Sequence, residues 1–347
     1  MKPARTLSGR LPHRDAIAHP SEGGRVFSAV APTGSIHIGN YMGALRTWLD
    51  LQYRYESFFC IADLHAITTP WRPHELRKTT LDVARTYLAA GLDPRVCTIF
   101  LQSHVSHHAE LCWVLAALAK TPQLERMTQY KEKARDKGKA SLTLLSYPVL
   151  MASDILLYRA RFVPVGEDQR QHLELARSLA TRFNRRFGDT LIVPEALVPQ
   201  EGARIMSLDD PARKMSKTAP PHTYIALSDP PDVIRAKVKK AVTDPGREVI
   251  YGPEKPAISN LLAIYALFSG KGVAEVEEMY RGKGYLDLKT DLADLIIDFL
   301  APFHRAYFSI DDDRVREVLA EGAEKAGAVA ALTADEVKER VGLVLPR

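Results

Sequence analysis

The sequence predicts an α/β domain with a parallel sheet, followed by a domain of α-helices. Three observations carry this prediction. Short apolar runs of strand length alternate with segments of helical period up to about residue 193, a pattern typical of βαβ units. After Pro194 the strand signals fade, and amphipathic helical stretches follow one another from about Pro230 to Gly342. The length of 347 residues, at roughly 150 residues per domain, allows about two domains.

The first half of the chain supplies the predicted strands and the helices between them. The predicted strands are Arg25–Ala31, Ser57–Asp63, Val96–Gln102, Arg161–Val165 and Thr190–Val193. The predicted helices are Gly39–Tyr53, His74–Ala90, His107–Leu118, Gln123–Lys133, Tyr147–Tyr158 and Asp168–Phe187. Because ligands of open parallel sheets bind at the carboxyl ends of the strands, we expect the functional loops to lie there.

The second half of the chain is predicted to be helical, and the first residues are predicted to be a tail. The helices expected after Pro230 are Pro231–Val242, Ile258–Phe268, Val273–Arg281, Leu286–Tyr307 and Asp313–Ala331. The first residues hold no apolar run of signal-peptide length, and Asp15 and Glu22 disfavour an arginine-rich transit peptide. We therefore expect a flexible N-terminal tail at 1–24, a Rossmann-like domain at 25–218 and a helical domain at 219–347, whose last helix could pack back on the Rossmann-like domain.

The composition is that of a soluble globular protein. At 46% hydrophobic and 26% charged residues, it excludes a collagen-like, low-complexity or wholly disordered chain. No apolar run reaches the length of about 18 residues that a transmembrane helix needs. Cys60, Cys97 and Cys112 form no C-x-x-C pair, which argues against a disulfide framework or a structural zinc site and for a reducing, cytoplasmic compartment. The net charge of +5 indicates an acidic partner only weakly.

The segment Ala31–Asn40 follows the first strand and opens the first helix. A helix N-terminus offers unpaired N–H groups and partial positive charge, which suits phosphate. Gly34 and Gly39 would let a ligand approach the backbone closely. Their spacing matches the start of a P-loop, but Asn40-Tyr41 stands where Lys-Ser/Thr is required, so a P-loop is excluded. A capped strand–helix turn with a buried His37 explains this segment equally well.

A second candidate phosphate site is the loop Lys214-Met215-Ser216-Lys217-Thr218, which lies between Pro211 and Pro220. Lys214 and Lys217 could meet the negative charge that develops on a leaving pyrophosphate. A basic motif this short more often lies in a solvated loop than in a phosphate site.

Together the two loops resemble the HIGH and KMSKS signatures of class I aminoacyl-tRNA synthetases, with His37–Asn40 after the first strand and Lys214–Thr218 after the last. Further segments are similar to bacterial tryptophanyl-tRNA synthetases, and only the tail before Arg25 falls outside this similarity. These segments are Asp63–Thr68, Glu125–Gln129, Tyr147–Tyr158, Val163–Leu175 and Arg204–Leu208.

The resemblance implies a tryptophan–tRNA ligase of protein biosynthesis. Such an enzyme forms tryptophanyl-adenylate and pyrophosphate from L-tryptophan and ATP, and then transfers the tryptophanyl group to tRNA(Trp). The resemblance also implies Mg²⁺ accompanying ATP, an anticodon-reading helical domain and a homodimer bridged by one tRNA. No membrane partner is expected.

The resemblance assigns most of the ATP site to loops at the sheet edge. The implied catalytic residues are His37, Asn40, Lys133, Lys214, Ser216 and Lys217. The implied ATP-binding residues are Ala31, Pro32, Thr33, Gly39, Asn40, Gly166, Glu167, Asp168, Ile205, Lys214, Met215, Ser216, Lys217 and Thr218.

The implied ATP site departs from the class signature at one position, and parts of it have simpler interpretations. Asn40 replaces the final His of the class signature, which leaves more charge compensation to the lysines. Simpler interpretations stay open as well. Glu167 and Asp168 suit the first turn of a helix through the helix dipole, and the basic run around Lys133 also fits a solvated helix face.

The implied tryptophan pocket needs an apolar slot and one acceptor for the indole N–H. Asp154 is an acid in the otherwise apolar segment Tyr147–Tyr158, where a carboxylate without a partner is costly. Core packing explains Met151, Val163 and Val165 equally well. The implied set is Phe27, His65, Tyr147, Met151, Asp154, Val163, Val165 and Gln169.

One residue departs from the family pattern, and two other functions stay open. Ala31 stands where many relatives have Gln, so we expect a functional but modified tryptophan pocket. A tyrosyl-tRNA synthetase is the nearest alternative, and the Met151 and Asp154 pair argues against it. A non-catalytic paralogue that senses tryptophan or binds partners is the other, and intact Lys214 and Lys217 argue against that.

Overall fold

The computed structural model describes residues 23–133, 141–166, 169–197 and 205–346. In these ranges five parallel strands form one sheet in the order β3-β2-β1-β4-β5. The central strand pairs with its two neighbours on opposite sides, so the chain reverses its direction of winding there. In an open parallel sheet the crevice at such a switch point is where ligands bind. The strands are β1 (Arg25–Val30), β2 (Glu56–Ile61), β3 (Thr98–Leu101), β4 (Phe162–Pro164) and β5 (Glu195–Leu197).

Helices connect the strands and cover the sheet. The helix after β1 begins as α1 (Ile38–Asn40), passes through a π-helical turn at Tyr41–Leu45 and continues as α2 (Arg46–Arg54). The other helices of this half are α3 (Asp63–Ala66), α4 (Pro73–Ala90), α5 (His107–Ala116), α6 (Thr121–Glu125), α7 (Thr128–Lys133), α8 (Leu142–Leu157) and α9 (Arg170–Phe187).

The sheet divides the protein into two hydrophobic cores because alternate strand residues face opposite sides. Phe59 and Ile61 of β2 pack into a core with α2, α4 and the helices after residue 230. Phe58 and Cys60 of the same strand pack into a second core with α5, α8 and α9. Because strands buried on both faces lack polar alternation, β2 reads in the sequence as a continuous apolar run.

The second half of the chain is helical and packs on the first. Its helices are α10 (Pro231–Lys240), α11 (Pro256–Ser269), α12 (Val273–Met279), α13 (Tyr285–Ser309) and α14 (Asp312–Val341). Helix α13 packs on α4, and α14 lies against β3, α4, α5 and α8. Gly322 of α14 approaches β3 so closely that a Cβ atom there would overlap the carbonyl group of Ile99. The last helix therefore packs against the edge strand of the Rossmann-like sheet.

Two predicted elements differ from the structure. The strand predicted at Thr190–Val193 is wrong, and the fifth strand is Glu195–Leu197 instead. The Asn184 side chain accepts hydrogen bonds from the N–H groups of Thr190 and Leu191 and donates to the Leu191 carbonyl, so these groups are not available to a sheet. The helix predicted at Gln123–Lys133 is two short helices, α6 and α7.

In the described ranges, no single helix is long and apolar enough to cross a membrane. Helices α11 and α12 reach that length and composition only when taken together, and they are bent by 106° relative to each other. Cys60, Cys97 and Cys112 are free thiols, and Cys60 and Cys97 are buried.

Candidate active site

A cleft of about 1030 Å³ opens at the carboxyl ends of β1 and β4, at the switch point of the sheet. It brings together fifteen of the residues that the sequence singled out, from segments up to 191 positions apart (Phe27 to Thr218). They are Phe27, Ala31, Pro32, Thr33, Asn40, His65, Tyr147, Met151, Asp154, Val163, Val165, Gly166, Gln169, Lys217 and Thr218.

The remaining predicted residues divide into two groups. His37, Gly39, Lys214, Met215 and Ser216 lie in the two motif loops, and Ile205 pairs with Met215, but none of these six residues lines the cleft. Glu167, Asp168 and the side chain of Lys133 lie outside the described residues. Among the residues that are described, no three His, Cys, Asp or Glu side chains cluster as metal ligands.

His37 caps the N-terminus of α1 and is not among the residues that line the cleft. Its Nδ1 atom accepts hydrogen bonds from the backbone N–H groups of Gly39 (3.1 Å) and Asn40 (3.2 Å). The Asn40 side chain completes the cap by accepting from the His37 N–H. Burial, and then the charges of Lys217 and Lys214, lower the pKa of His37 to about 3. The ring is therefore neutral at physiological pH and carries its proton on Nε2.

The K-M-S-K-T loop begins in a short antiparallel hairpin. Met206 pairs with Lys214, and the Met215 N–H donates to the Ile205 carbonyl. The hairpin delivers Lys217 to the first loop, where its Nζ atom donates to the Ala31 carbonyl. Burial lowers the pKa of Lys217 to about 8. The other lysine of the motif, Lys214, is exposed.

The helical half of the chain holds both motif loops. Asn260 on α11 accepts from the Met206 N–H (3.0 Å) and donates to the carbonyls of Met206 (3.1 Å) and Ser207 (3.3 Å). His304 on α13 contacts the Leu227 carbonyl through Nε2 at 2.8 Å. The strand-like segment at Leu227 in turn pairs with the backbone on either side of His37. A displacement of α11 or α13 would therefore move one of the loops.

Asp154 is the most buried charged group of the cleft, with a relative exposure of 1%. Its Oδ1 atom accepts from Gln102 Nε2 and lies 2.7 Å from His108 Nδ1, while Oδ2 lies 2.8 Å from His65 Nε2. Burial raises the pKa of this carboxyl, but the hydrogen bonds and charges of His108 and His65 together outweigh that effect. The net pKa lies below its ordinary value, so Asp154 is ionised.

The walls around Asp154 are aromatic and apolar. The Phe27 ring stacks on Tyr158 at 5.5 Å, and Phe58 stacks on Tyr158 at 4.8 Å. The Tyr147 hydroxyl lies 2.9 Å from His172 Nε2, which fixes the position of the Tyr147 ring. A carboxylate at the end of an apolar slot suits a flat, largely apolar ring that carries one hydrogen-bond donor.

Sequence reasoning missed three residues that shape this site. Gln102 and His108 bind Asp154 from the side away from the cleft, and Asn260 holds the hairpin. Each lies in a segment whose pattern indicated only a strand end or a helix. The only signal in the sequence was Asp154 itself, because a buried acid requires hydrogen-bond partners.

The parallel sheet, the switch-point cleft and the two facing motif loops have the arrangement of a class I aminoacyl-tRNA synthetase. The model of the family tRNA synthetases class I (W and Y) matches residues 21–301. The chain belongs to this family.

Individual relatives narrow the comparison to the tryptophan branch. The tryptophan–tRNA ligase of Caldanaerobacter subterraneus subsp. tengcongensis is 52% identical over 323 residues, which cover 92% of this chain and 99% of the relative. The tryptophanyl-tRNA synthetase of Mycoplasma pneumoniae superposes with a TM-score of 0.82 at 34% identity, covering 92% of this chain and 98% of that one. The tryptophanyl-tRNA synthetase of Campylobacter jejuni, complexed with ADP and tryptophan, also superposes with a TM-score of 0.82. The two are 33% identical, and the match covers 92% of this chain and 100% of that one.

Proposed function

We propose that this chain is a tryptophan–tRNA ligase that activates L-tryptophan with ATP and then esterifies tRNA(Trp). One observation carries the proposal. Asp154 is an ionised carboxylate at the end of an apolar slot, where it suits the single N–H of an indole ring. The relative at 52% identity, a tryptophan–tRNA ligase, supports the same substrate.

In this proposal the tryptophan ring occupies the slot lined by Phe27, Met151, Val163 and Val165, with its N–H on Asp154. Tyr147 and Gln169 are the polar groups for the amino group of the substrate, and His65, which binds Asp154, belongs to the slot. The aliphatic and aromatic walls bury the ring, and the polar groups set its orientation. The walls alone would bind several flat rings, so specificity depends on the carboxylate.

ATP occupies the part of the cleft between the two motif loops. We assign this part of the lining to Ala31, Pro32, Thr33 and Gly166. We assign the phosphates to Lys217, Lys214 and the hydroxyls of Ser216 and Thr218, which lie 3.0 Å apart. Neutral His37 and Asn40 add hydrogen bonds rather than charge. Ile205 and Gly39 contribute backbone beside the nucleotide, together with Met215 of the same motif, and Glu167, Asp168 and Lys133 retain their predicted roles.

Two substitutions, the first at phosphorus and the second at the acyl carbon, make up the proposed reaction. A carboxylate oxygen of tryptophan attacks the α-phosphorus of ATP, the bond to the β-phosphate bridging oxygen breaks, and pyrophosphate leaves. A terminal ribose hydroxyl of tRNA then attacks the acyl carbon, its proton is released and AMP leaves. Both steps need positioning and charge stabilisation and no covalent enzyme intermediate. Lys214 and Lys217 stabilise the charge on the departing pyrophosphate.

Further parts of the proposal concern cofactor and partners. Mg²⁺ enters with ATP, bound largely by phosphate oxygens and water. Residues 219–347 bind the anticodon arm of tRNA, and residues 25–218 form the catalytic domain. The protein acts as a homodimer, which the exposed apolar side chains of Trp113 (82%) and Leu142 (77%) support. The free cysteines support a cytoplasmic location.

Amino-acid-dependent exchange of labelled pyrophosphate into ATP tests the activation step. We expect exchange with tryptophan and none with tyrosine, because a slot that fits the larger indole ring does not hold the smaller phenol ring with its hydroxyl at the position of the indole N–H. Exchange with tyrosine alone would favour a tyrosyl-tRNA synthetase. No exchange with either amino acid would favour a non-catalytic paralogue. The variant Lys217→Ala is a control, since its exchange must fall if the measured activity belongs to this cleft.

A further inference from the structure

The two oxygens of Asp154 have different surroundings. Oδ1 is bound by Gln102 and His108, neither of which lines the cleft. Oδ2 is bound by His65, which does line it. Oδ2 is therefore the oxygen on the cleft side. A carboxylate oxygen has two lone-pair directions, so Oδ2 can accept from His65 and from one further donor in the cleft.

His108 is held in one orientation and one tautomer. Its Nε2 atom lies 2.8 Å from the Tyr158 hydroxyl, while Nδ1 faces ionised Asp154, which only accepts. Nδ1 therefore carries a proton and donates to Asp154, and Nε2 accepts from the phenol. Burial raises the pKa of Tyr158, which keeps this hydroxyl protonated as a donor. The order of donation is Tyr158 to His108 to Asp154.

Packing fixes the rings of Tyr158 and His108 in their positions. Tyr158 is fully buried and stacks on Phe27 with an interplanar angle of 8°. His108 is also fully buried, and its backbone carbonyl accepts from the Ser153 hydroxyl at 2.7 Å, which ties α5 to α8. Since Ser153 precedes Asp154 in α8, the helix that carries the acid and the histidine that orients it are held together.

We propose that His108, supported by Tyr158, is the residue that makes the pocket specific for an indole N–H. His108 binds Oδ1 and thereby fixes the carboxylate plane, so that a free lone pair of Oδ2 points along the slot. A substrate with an N–H at that point gains a charge-assisted hydrogen bond, and a substrate of the same shape without the N–H gains nothing. This inference rests on the proposed function, because it presumes that tryptophan occupies the slot.

The consequence of losing His108 is selective. Without the Nδ1 donor, the carboxylate rotates toward its remaining partners, Gln102 and His65, or takes up a proton. Either change weakens the acceptor that the indole N–H uses and leaves the apolar walls in place. Tryptophan activation falls, whereas activation of an analogue that never used the acceptor does not. A purely structural role of His108 would lower the activation of both substrates equally.

The test compares tryptophan with 3-(3-benzothienyl)alanine, in which sulfur replaces the indole N–H. The measurement is kcat/KM for each amino acid in pyrophosphate exchange, and the readout is their ratio. For His108→Leu we expect the ratio to fall by about 10-fold or more, since a hydrogen bond to a charged group is lost. His108→Asn keeps an N–H donor near the Nδ1 position and is expected to recover much of the ratio. Tyr158→Phe lowers it by about 3-fold, because the His108 ring loses the hydroxyl that holds its Nε2 atom.

A matched control and two contrary outcomes complete the design. Tyr280→Phe removes another buried tyrosine hydroxyl, one that donates to Asp291 in the helical domain, and must leave the ratio unchanged. Equal losses for both substrates in His108→Leu and Tyr158→Phe would overturn the inference. If His108→Leu does not fold, His108→Asn and Tyr158→Phe still decide the question. Absence of tryptophan exchange in the unmodified protein would overturn the proposed function itself, which is a distinct result.

Discussion

The backbone of Lys217 lies directly against Gly34, where a Cβ atom would overlap the Lys217 carbonyl oxygen and come within 3.2 Å of its Cβ. The neighbour at this point is backbone, which cannot rotate away. The two motif loops therefore meet through a residue that must lack a side chain. The contact joins the loop after β1 to the loop before α10 at the mouth of the cleft.

Gly34→Ala is expected to push the K-M-S-K-T loop away from the cleft. Lys217 would lose its contact with the Ala31 carbonyl, and we expect kcat/KM for ATP in pyrophosphate exchange to fall about 10-fold or more. Gly43→Ala is the matched control, because a Cβ atom there meets nothing within 4 Å. Equal exchange rates for the two variants would show that the close approach has no role in catalysis.

Asn260→Ala is expected to slow exchange although the residue lies outside the cleft lining. The change removes three hydrogen bonds that hold Met206 and Ser207, and with them the base of the hairpin. Asn184→Ala is the control, since it also removes three side-chain bonds to backbone, at Thr190 and Leu191. Both variants should lose about 1–3 kcal/mol of unfolding free energy. Only Asn260→Ala should also lower kcat for exchange, and an equal kcat in both would contradict this role.

The charge state of Lys217 predicts a pH dependence of activity. Burial lowers its pKa to about 8, so the free enzyme loses the charge as pH rises through that value. Since kcat/KM reports on the free enzyme, kcat/KM for ATP should fall above about pH 8. Lys217→Arg keeps its charge in this range, so the fall should disappear in that variant. The same fall in both proteins would assign it to another group.

The lowered pKa of Lys217 also makes the unfolding free energy of the protein depend on pH. Between about pH 8 and the ordinary lysine value of 10.5, the unfolded chain binds a proton that folded Lys217 has lost. The contribution of Lys217 to the unfolding free energy therefore increases as pH rises through this window. Chemical unfolding at several pH values should show this increase relative to Lys217→Met, which has no titrating group. A contribution that decreased with pH would contradict the assignment.

Ala31→Gln should change the tryptophan site without abolishing activity. Ala31 lines the cleft beside Pro32 and Thr33, and a longer polar side chain there would reach the amino acid. We expect a changed KM for tryptophan in exchange assays and a changed response to tryptophan-like inhibitors. An unchanged KM for tryptophan would show that the side chain at this position does not contact the substrate.

Gly322→Ala should destabilise the protein, because α14 has no space for a side chain where it crosses β3. The added Cβ would overlap the Ile99 carbonyl and lie 3.3 Å from the Phe100 Cβ. Overpacking of this kind costs about 1–3 kcal/mol. Gly327→Ala on the same helix meets nothing within 4 Å and should be neutral or stabilising by up to about 1 kcal/mol. Equal unfolding midpoints would contradict the tight packing of α14 on the sheet.

Local signals predicted most of the fold and failed where side chains at a distance decided the outcome. Apolar runs located β1 to β4 within a few residues, because each of these strands is buried between helices. The run at Thr190–Val193 looked similar, but Asn184 engages its backbone and the strand forms further along the chain. A hydrogen bond from a helix side chain to a later loop leaves no periodic pattern in the sequence.

The candidate site shows the same division. The sequence motifs named both loops, and Asp154 attracted attention as an acid among apolar residues. Its partners Gln102 and His108 could not be predicted, because they lie 52 and 46 positions away on other elements. The role of Asn260 was hidden for the same reason, since it lies 54 positions after Met206. Such pairs come together only through the packing of α5, α8 and α11.

Charging of tRNA tests the central claim most directly. The full chain is incubated with ATP, Mg²⁺ and labelled tryptophan or tyrosine, together with transcripts of tRNA(Trp) or tRNA(Tyr). We expect labelled tryptophan to become esterified to tRNA(Trp), with no charging by tyrosine and none of tRNA(Tyr). Charging of tRNA(Tyr) with tyrosine, or no charging of tRNA(Trp) despite exchange with tryptophan, would contradict the account.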